Sequence, residues 1–176
     1  METKDMMALY RKLATPAGPH RLLAAMAGSW NTRGRFWMEP GQAPMESTGH
    51  SEQTMVLDGR FLQQEFHSEM MGNPFTGLGF CGYDNHTGKY VSTWMDTMGT
   101  AIMYFEGTAD ADGTITQTAS YDDPVQGPMQ WRSVTHMMNP DTLEFEMYAT
   151  GRSGKEEKMM EITYTRATAA QGVVKH

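Results

Sequence analysis

From Ser29 to Arg166 the sequence is divided into short segments of alternating polarity, separated by Gly, Asp, Asn and Pro. A period of two is typical of a half-buried β-strand, and the separating residues are typical of turns. The candidate strands are Ser29–Met38, Met45–Leu57, Arg60–Met70, Thr76–Asp84, Lys89–Asp96, Thr100–Ala109, Thr114–Tyr121, Met129–Met138, Leu143–Thr150 and Glu156–Arg166. Short connections favour antiparallel neighbours, and closing the sheet would remove its exposed edges. The pattern therefore predicts an all-β, up-and-down barrel of about ten antiparallel strands.

The residues before the first strand have a different periodicity. Apolar side chains recur at helical spacing over residues 3–14, and a second helical stretch runs from His20 to Ala27 and ends at Gly28. The sequence TPAGP separates the two. We therefore expect two short helices within residues 1–28 that pack on the barrel, a barrel domain over residues 29–166 and a flexible tail over residues 167–176.

Methionine is the most unusual component, with 18 of the 176 residues. Its side chain is unbranched and polarisable, so it fills irregular apolar space. Met55, Met138 and Met147 fall on predicted core faces beside Leu, Val and Phe. The excess therefore predicts a soft, adaptable barrel interior.

Charge and cysteine content exclude several classes of partner and site. The net charge of −7 disfavours nucleic acid and anionic membranes. The single cysteine, Cys81, excludes an intramolecular disulfide and a cysteine-based zinc site. The charged start and the lack of an 18-residue apolar stretch predict a cytoplasmic chain without membrane insertion. The expected partner is a small molecule, and the expected state is a monomer or homodimer.

Turn residues predict the pairing of three hairpins, around Asp58-Gly59, Asn85–Gly88 and Asn139–Thr142. The expected partners are Met55–Leu62, His50–His67, Asp84–Lys89, Tyr83–Tyr90, His136–Phe145 and Val134–Met147. An error of one residue would exchange the two faces of a strand.

Two features resemble the calycin barrels, which include lipocalins and fatty-acid-binding proteins. Gly28-Ser29-Trp30 opens the first strand, and Arg166 ends the last. The resemblance implies that Trp30 plugs one end of the barrel and that Arg166 packs across it, a favourable cation–π pair. Residues 18–166 are also similar to an uncharacterised bacterial family, a domain of unknown function, through PHRLLAAMAGSW, LDGRFLQQEF, GNPFTGLGFCGYDNHTGKYVSTWMD and MEITYTR. That resemblance implies the barrel and no agreed activity.

The third hairpin carries the main candidate binding site. The expected pairing places Val134, Met138, Phe145 and Met147 on one apolar interior face, together with Arg132 and His136. Buried charges need partners, so Arg132 and His136 are predicted to meet the polar head of a ligand, which could be an anion. Tyr164 would complete the site, as interior Arg and Tyr do in fatty-acid-binding proteins. The alternative is that Arg132 pairs with a carboxylate near the rim and His136 is a satisfied core histidine.

The first two hairpins carry weaker candidates. His50 and His67, with Glu52 and Glu65 beside them, could hold a divalent metal, although the same face could simply be solvated. The other candidate set shares one face of the second hairpin and consists of Tyr83, Tyr90, Trp94 and Asp96. It could be a stacking platform with an acid at Asp96, or packing of Trp94 against Gly79.

The sequence therefore favours a barrel that binds a small, largely apolar ligand, with no cofactor. The first alternative is a cofactor-free isomerase or lyase in the same cavity, with His136 as base and Arg132 holding an oxyanion. The second is a barrel that binds haem or a divalent metal through a histidine.

Overall fold

A computed structural model describes residues 3–168. The elements are α1 (Thr3–Ala14), α2 (Gly18–Ala25), β1 (Gly28–Phe36), β2 (Met45–Val56), β3 (Phe61–Met70), β4 (Asn73–Asp84), β5 (Lys89–Asp96), β6 (Met103–Ala109), β7 (Ile115–Asp123), β8 (Gly127–Asn139), β9 (Thr142–Thr150) and β10 (Glu156–Arg166). The strands form one closed antiparallel barrel in which each pairs with its neighbours in sequence and β1 pairs with β10. The predicted barrel of ten strands, preceded by two short helices, is confirmed.

The first and last strands form the seam of the barrel. Trp30 pairs with Arg166 across it, and the pairing continues to Phe36 and Met160. The Ala167 amide extends the seam by donating to the Ser29 carbonyl at 2.8 Å. Most of the tail predicted to be flexible, residues 169–176, lies outside the described residues.

The predicted pairing is confirmed in the first two hairpins. Met55 pairs with Leu62 and His50 with His67. The second hairpin pairs Tyr83 with Tyr90 and Asp84 with Lys89. The turn of the first hairpin holds Leu57, Asp58 and Gly59 at φ of 51°, 55° and 78°, the left-handed region that tight hairpins require.

The predicted pairing of β8 with β9 is wrong by one residue. Thr135, not His136, lies opposite Phe145, and Ser133, not Val134, lies opposite Met147. The pairing shifts between Met137 and Asn139, so Met138 is the extra residue of a bulge. The Asn139 side chain accepts from the Asp141 amide at 2.9 Å and tightens the turn.

This shift exchanges the two faces of β8. The inner face carries Ser133 and Thr135, which line the interior with Phe145 and Met147 of β9. Arg132, Val134, His136 and Met138 were expected inside the barrel, but the first three lie on the outer face and Met138 is 53% exposed.

Helix α2 closes one end of the barrel. Leu23 is fully buried and Met26 almost so, and both join the apolar core. The barrel loops fix the chain around this helix, because Asn85 Nδ2 donates to the carbonyls of Leu13 and Thr15 at 2.8 and 2.9 Å. Tyr90 Oη donates to the Pro19 carbonyl at 3.2 Å.

Helix α1 differs from α2 because none of its residues is buried. Arg60 Nε donates to the Ala14 carbonyl at the end of this helix, at 3.0 Å. Between residues 3 and 168, neither helix has the length and apolar character needed to span a membrane.

Candidate functional site

The barrel encloses a cavity of about 320 Å³. That volume lies at the lower end of the range of about 300–1,000 Å³ typical of small-molecule sites. Its walls are mainly apolar and include the methionines Met26, Met70, Met98, Met103, Met147 and Met160 and the phenylalanines Phe36, Phe66, Phe75, Phe80, Phe105 and Phe145. Of the methionines predicted to face the interior, Met147 lines the cavity and Met55 is partly buried against the core.

The cavity opens at the end of the barrel away from α2. Met98, in the connection between β5 and β6, lines the cavity and is also 62% exposed. The wall is incomplete beside it, because the pairing of β5 with β6 ends at Trp94 and Met103 and that of β6 with β7 ends at Glu106 and Thr118.

Two polar groups occupy the inner face at the mouth. The Trp94 indole Nε1 donates to Asp96 Oδ2 at 2.9 Å, and the Met98 amide donates to Asp96 Oδ1 at 2.9 Å. Both side chains line the cavity. Among the described residues of the lining, Asp96 is the single Asp, Glu, Lys, Arg or His.

Deeper in the barrel, Tyr164 belongs to a neutral hydrogen-bonded group. Gln64 Nε2 donates to Tyr164 Oη at 3.1 Å and lies 3.3 Å from Ser51 Oγ. Burial raises the pKa of Tyr164 to about 12. The phenol therefore keeps its proton at neutral pH.

A second neutral group lies on β4, β5 and β7. Ser92 Oγ donates to Gln117 Oε1 at 2.9 Å, and the buried Gln117 Nε2 has no hydrogen-bond partner among residues 3–168. Gln117 lies opposite Gly107 of β6, and Ser92, which lies opposite Phe105 of the same strand, reaches it diagonally across β6. Burial raises the pKa of the Cys81 thiol to about 11, although a hydrogen bond with Ser92 lowers it.

Comparison with known proteins identifies the family. A family model described as "Protein of unknown function (DUF1579)" matches residues 15–166. The chain belongs to this family. The resemblance to an uncharacterised family of barrels is thereby confirmed. No curated protein sequence matches the chain.

Two solved structures resemble this DUF1579 protein in fold. The S-type phycobiliprotein lyase CPES from Guillardia theta is 12% identical, with a TM-score of 0.62 over 87% of this chain and 94% of that one. Rv2717c from M. tuberculosis is 16% identical, with a TM-score of 0.60 over 88% of this chain and all of that one. At such identities the likeness extends to the fold alone.

The structure of this DUF1579 protein separates the predicted binding residues. Phe145, Met147 and Tyr164 line the cavity. Arg132 lies on the outer face, where its Nε and Nη2 donate to the two carboxylate oxygens of Glu156 at 2.9 and 2.6 Å. Its guanidinium carbon lies 4.3 Å from the centre of the Tyr148 ring. Arg132 thus has the carboxylate partner of the alternative interpretation.

His136 also has an outer-face partner. Its Nδ1 lies 2.7 Å from Thr114 Oγ1. It therefore does not join Arg132 and Tyr164 in one site, and the base and oxyanion holder of the enzyme hypothesis do not face the cavity.

The metal candidates also lie on the outer face. His50 Nε2 is 2.5 Å from Glu52 Oε1, and Ser29 Oγ donates to Glu52 Oε2 at 2.6 Å. His67 Nδ1 lies 3.3 Å from Thr76 Oγ1, and Gln63 Nε2 donates to Glu65 Oε1 at 3.1 Å. Over residues 3–168, no three His, Cys, Asp or Glu side chains are grouped as metal ligands.

Sequence reasoning missed the polar lining of β7 and β8. Gln117 lies two residues from each of the buried Ile115 and Ala119, and this period of two could have placed all three side chains on the inner face. Ser133 and Thr135 gave no such signal, because the opposite face of β8, which carries Val134, is the more apolar of the two and was therefore assigned to the interior. Small side chains on an inner face leave space, which is why Ser133 and Thr135 can form part of a cavity wall.

Proposed function

We propose that the barrel binds one small, largely apolar molecule in its interior. The observation that carries this proposal is the cavity of about 320 Å³, which is walled mainly by methionine and phenylalanine and reaches the exposed Met98 at the end away from α2. Burying an apolar ligand there gains about 25 cal/mol per Å² of apolar surface removed from water. Thioether side chains adapt their shape at low cost, which suits ligands of varied outline.

The polar groups of the wall favour a neutral body for that ligand. Gln64, Ser92, Gln117 and Tyr164 are uncharged hydrogen-bonding side chains. Arg132 and His136, which were the basis for an anionic head group, lie on the outer face. The raised pKa values of Cys81 and Tyr164 keep both groups protonated at neutral pH, which favours binding over acid–base chemistry by these side chains.

The proposal is tested by filling the cavity from one strand. Thr135→Phe adds a ring on the inner face of β8, and Val134→Phe adds the same ring on its outer face. The probe is N-phenyl-1-naphthylamine, a neutral apolar fluorophore whose emission rises in apolar surroundings. We expect Thr135→Phe to weaken its binding at least tenfold and Val134→Phe to leave it within about twofold.

Circular dichroism should first establish that both variants remain folded. The proposal fails if the parent protein does not bind the fluorophore, or if the two variants bind it equally. Native mass spectrometry of the freshly purified protein supplies an independent measurement, in which a retained ligand is expected to be absent from Thr135→Phe and present in Val134→Phe.

A further inference from the structure

We propose that Trp94 and Asp96 select, among apolar molecules of suitable size, one that carries a positively charged nitrogen. The inference rests on the proposed binding function and gives the chemical class of the ligand. It concerns the mouth of the cavity, where an indole ring and a carboxylate project from the same inner face of β5.

The Trp94 indole occupies space that is free because Gly77 and Gly79 of β4 have no side chains. A Cβ atom built on Gly77 would lie 2.2 Å from Trp94 Cζ2, and one built on Gly79 would lie 2.8 Å from Trp94 Cε3. The ring is therefore seated close to the β4 backbone, against the wall. A large aromatic surface lines the cavity without filling it.

The carboxylate lies at the edge of this ring. Asp96 receives one hydrogen bond on each oxygen, from the Trp94 indole and the Met98 amide, both at 2.9 Å. An ionised carboxylate has about four acceptor positions, so capacity remains for a donor on a ligand. These bonds hold the carboxylate at the rim of the indole, where one cation could contact both groups.

The electrostatics of the wall favour a cation over an anion. In the described part of the chain, Lys, Arg and His are absent from the cavity lining, and Asp96 is its one formal charge. The face of an indole attracts cations through its quadrupole. The chain as a whole carries a net charge of −7, which adds to the same preference.

A second aspartate at the same end of the barrel shows what a purely structural role looks like. Asp123 Oδ1 accepts from the amides of Val125 and Gln126 at 2.9 and 2.7 Å and so holds the turn between β7 and β8. Within the described part of the chain, Asp123 has no hydrogen bond to an indole, and it is not part of the cavity lining. Asp123→Asn is therefore the matched control for Asp96→Asn.

The test compares three naphthalene derivatives by isothermal titration calorimetry at pH 7. The probes are 1-naphthylmethylamine, a cation, 1-naphthylmethanol, which is neutral, and 1-naphthoate, an anion. We expect the parent protein to bind the amine about five- to tenfold more tightly than the alcohol, and the naphthoate most weakly. Asp96→Asn should remove most of the preference for the amine, whereas Asp123→Asn should retain it.

A second variant separates recognition from support of the turn. Trp94→Phe should weaken the binding of the amine more than that of the alcohol, because a phenyl face attracts cations less than an indole face and has no N–H to hold Asp96. Equal losses for both probes would mean that the ring is mere packing and would overturn the inference.

Failure of this inference differs from failure of the proposed function. If the parent protein binds the alcohol as tightly as the amine, the charge preference is wrong while a binding cavity remains. The same conclusion holds if Asp96→Asn keeps the full preference, or if none of the three probes binds although N-phenyl-1-naphthylamine does. If none of the four molecules binds, both proposals fail. The measurement on the parent protein decides the charge preference even if Asp96→Asn does not fold.

Discussion

The Arg166 guanidinium carbon lies 4.2 Å from the centre of the Trp30 ring, at the seam between the first and last strands. The same guanidinium donates to the carbonyls of Ala25, Ala27 and Pro140 at distances from 2.8 to 3.2 Å. Trp30 Nε1 donates to the Met26 carbonyl at 2.9 Å. Two side chains of the seam thus bind the carbonyl groups at the end of α2, where a helix favours positive charge.

Replacing Arg166 should therefore destabilise the protein. Arg166→Met removes several charge-assisted hydrogen bonds and the cation–π contact, and we expect a loss of about 2–3 kcal/mol in the free energy of unfolding. Urea titration measures it. Arg152→Met, at an exposed position, should change stability by less than about 0.5 kcal/mol. Equal losses in the two variants would contradict the role given to the seam.

The position of the Trp94 ring should depend on the two glycines of β4 that lie against it, Gly77 and Gly79. Gly77→Ala places a methyl group where the indole lies, so the ring must move. We expect a changed near-ultraviolet circular dichroism spectrum and a loss of about 1–3 kcal/mol, typical of overpacking. In a Trp94→Leu background the same substitution should cost less, which a double-mutant cycle would measure. Gly99→Ala is the control, because no heavy atom of a non-adjacent residue among residues 3–168 lies within 4 Å of a Cβ built at that position.

Arg132 should contribute to stability and not to binding. Arg132→Gln breaks the pair with Glu156 and the stacking on Tyr148, and we expect a loss of about 1 kcal/mol at pH 7 with unchanged binding of N-phenyl-1-naphthylamine. The Arg132 hydrogen bonds hold the pKa of Glu156 below its ordinary value of 4.5. The difference between parent and variant should therefore shrink as the pH falls below about 4.5. Weakened probe binding in the variant would contradict the outward position of this side chain.

Alkaline pH should destabilise the barrel through groups of its interior. Burial raises the pKa of Cys81 from 9.0 to about 11 and that of Tyr164 from 10.0 to about 12. The unfolded chain loses these protons first, so stability is full below pH 9 and falls as the pH rises towards 12. Urea titrations at pH 8 to 11 should show the decline, and Cys81→Ala should flatten it between pH 9 and 11. A slope that is unchanged in Cys81→Ala would contradict this assignment.

Local patterning was sufficient to predict the strands, the closure and two of the three hairpin registers. Alternation and turn residues are local signals, and the Asp58-Gly59 turn determines the pairing of Met55 with Leu62. The β8–β9 register depends instead on a bulge at Met138, which alternation does not reveal. One unpaired residue exchanged the two faces of β8 and moved Arg132 and His136 out of the predicted site.

The candidate site was harder to predict for a related reason. The apolar face of a strand is the usual choice for the interior, but a wall beside a cavity can be lined by small polar residues such as Ser133 and Thr135. Trp94 and Asp96 were predicted to share a face, and the structure adds the hydrogen bond between them. That bond joins side chains two residues apart, so β-strand geometry alone places them close.

The seam between β1 and β10 also governs how the chain can fold. The barrel closes only when segments more than a hundred residues apart meet, a pairing of high contact order that forms slowly. During synthesis, one edge of β1 remains unpaired until β10 has emerged from the ribosome. A chain that stopped before β10 would keep two open edges, on β1 and β9, and would be prone to aggregate through them.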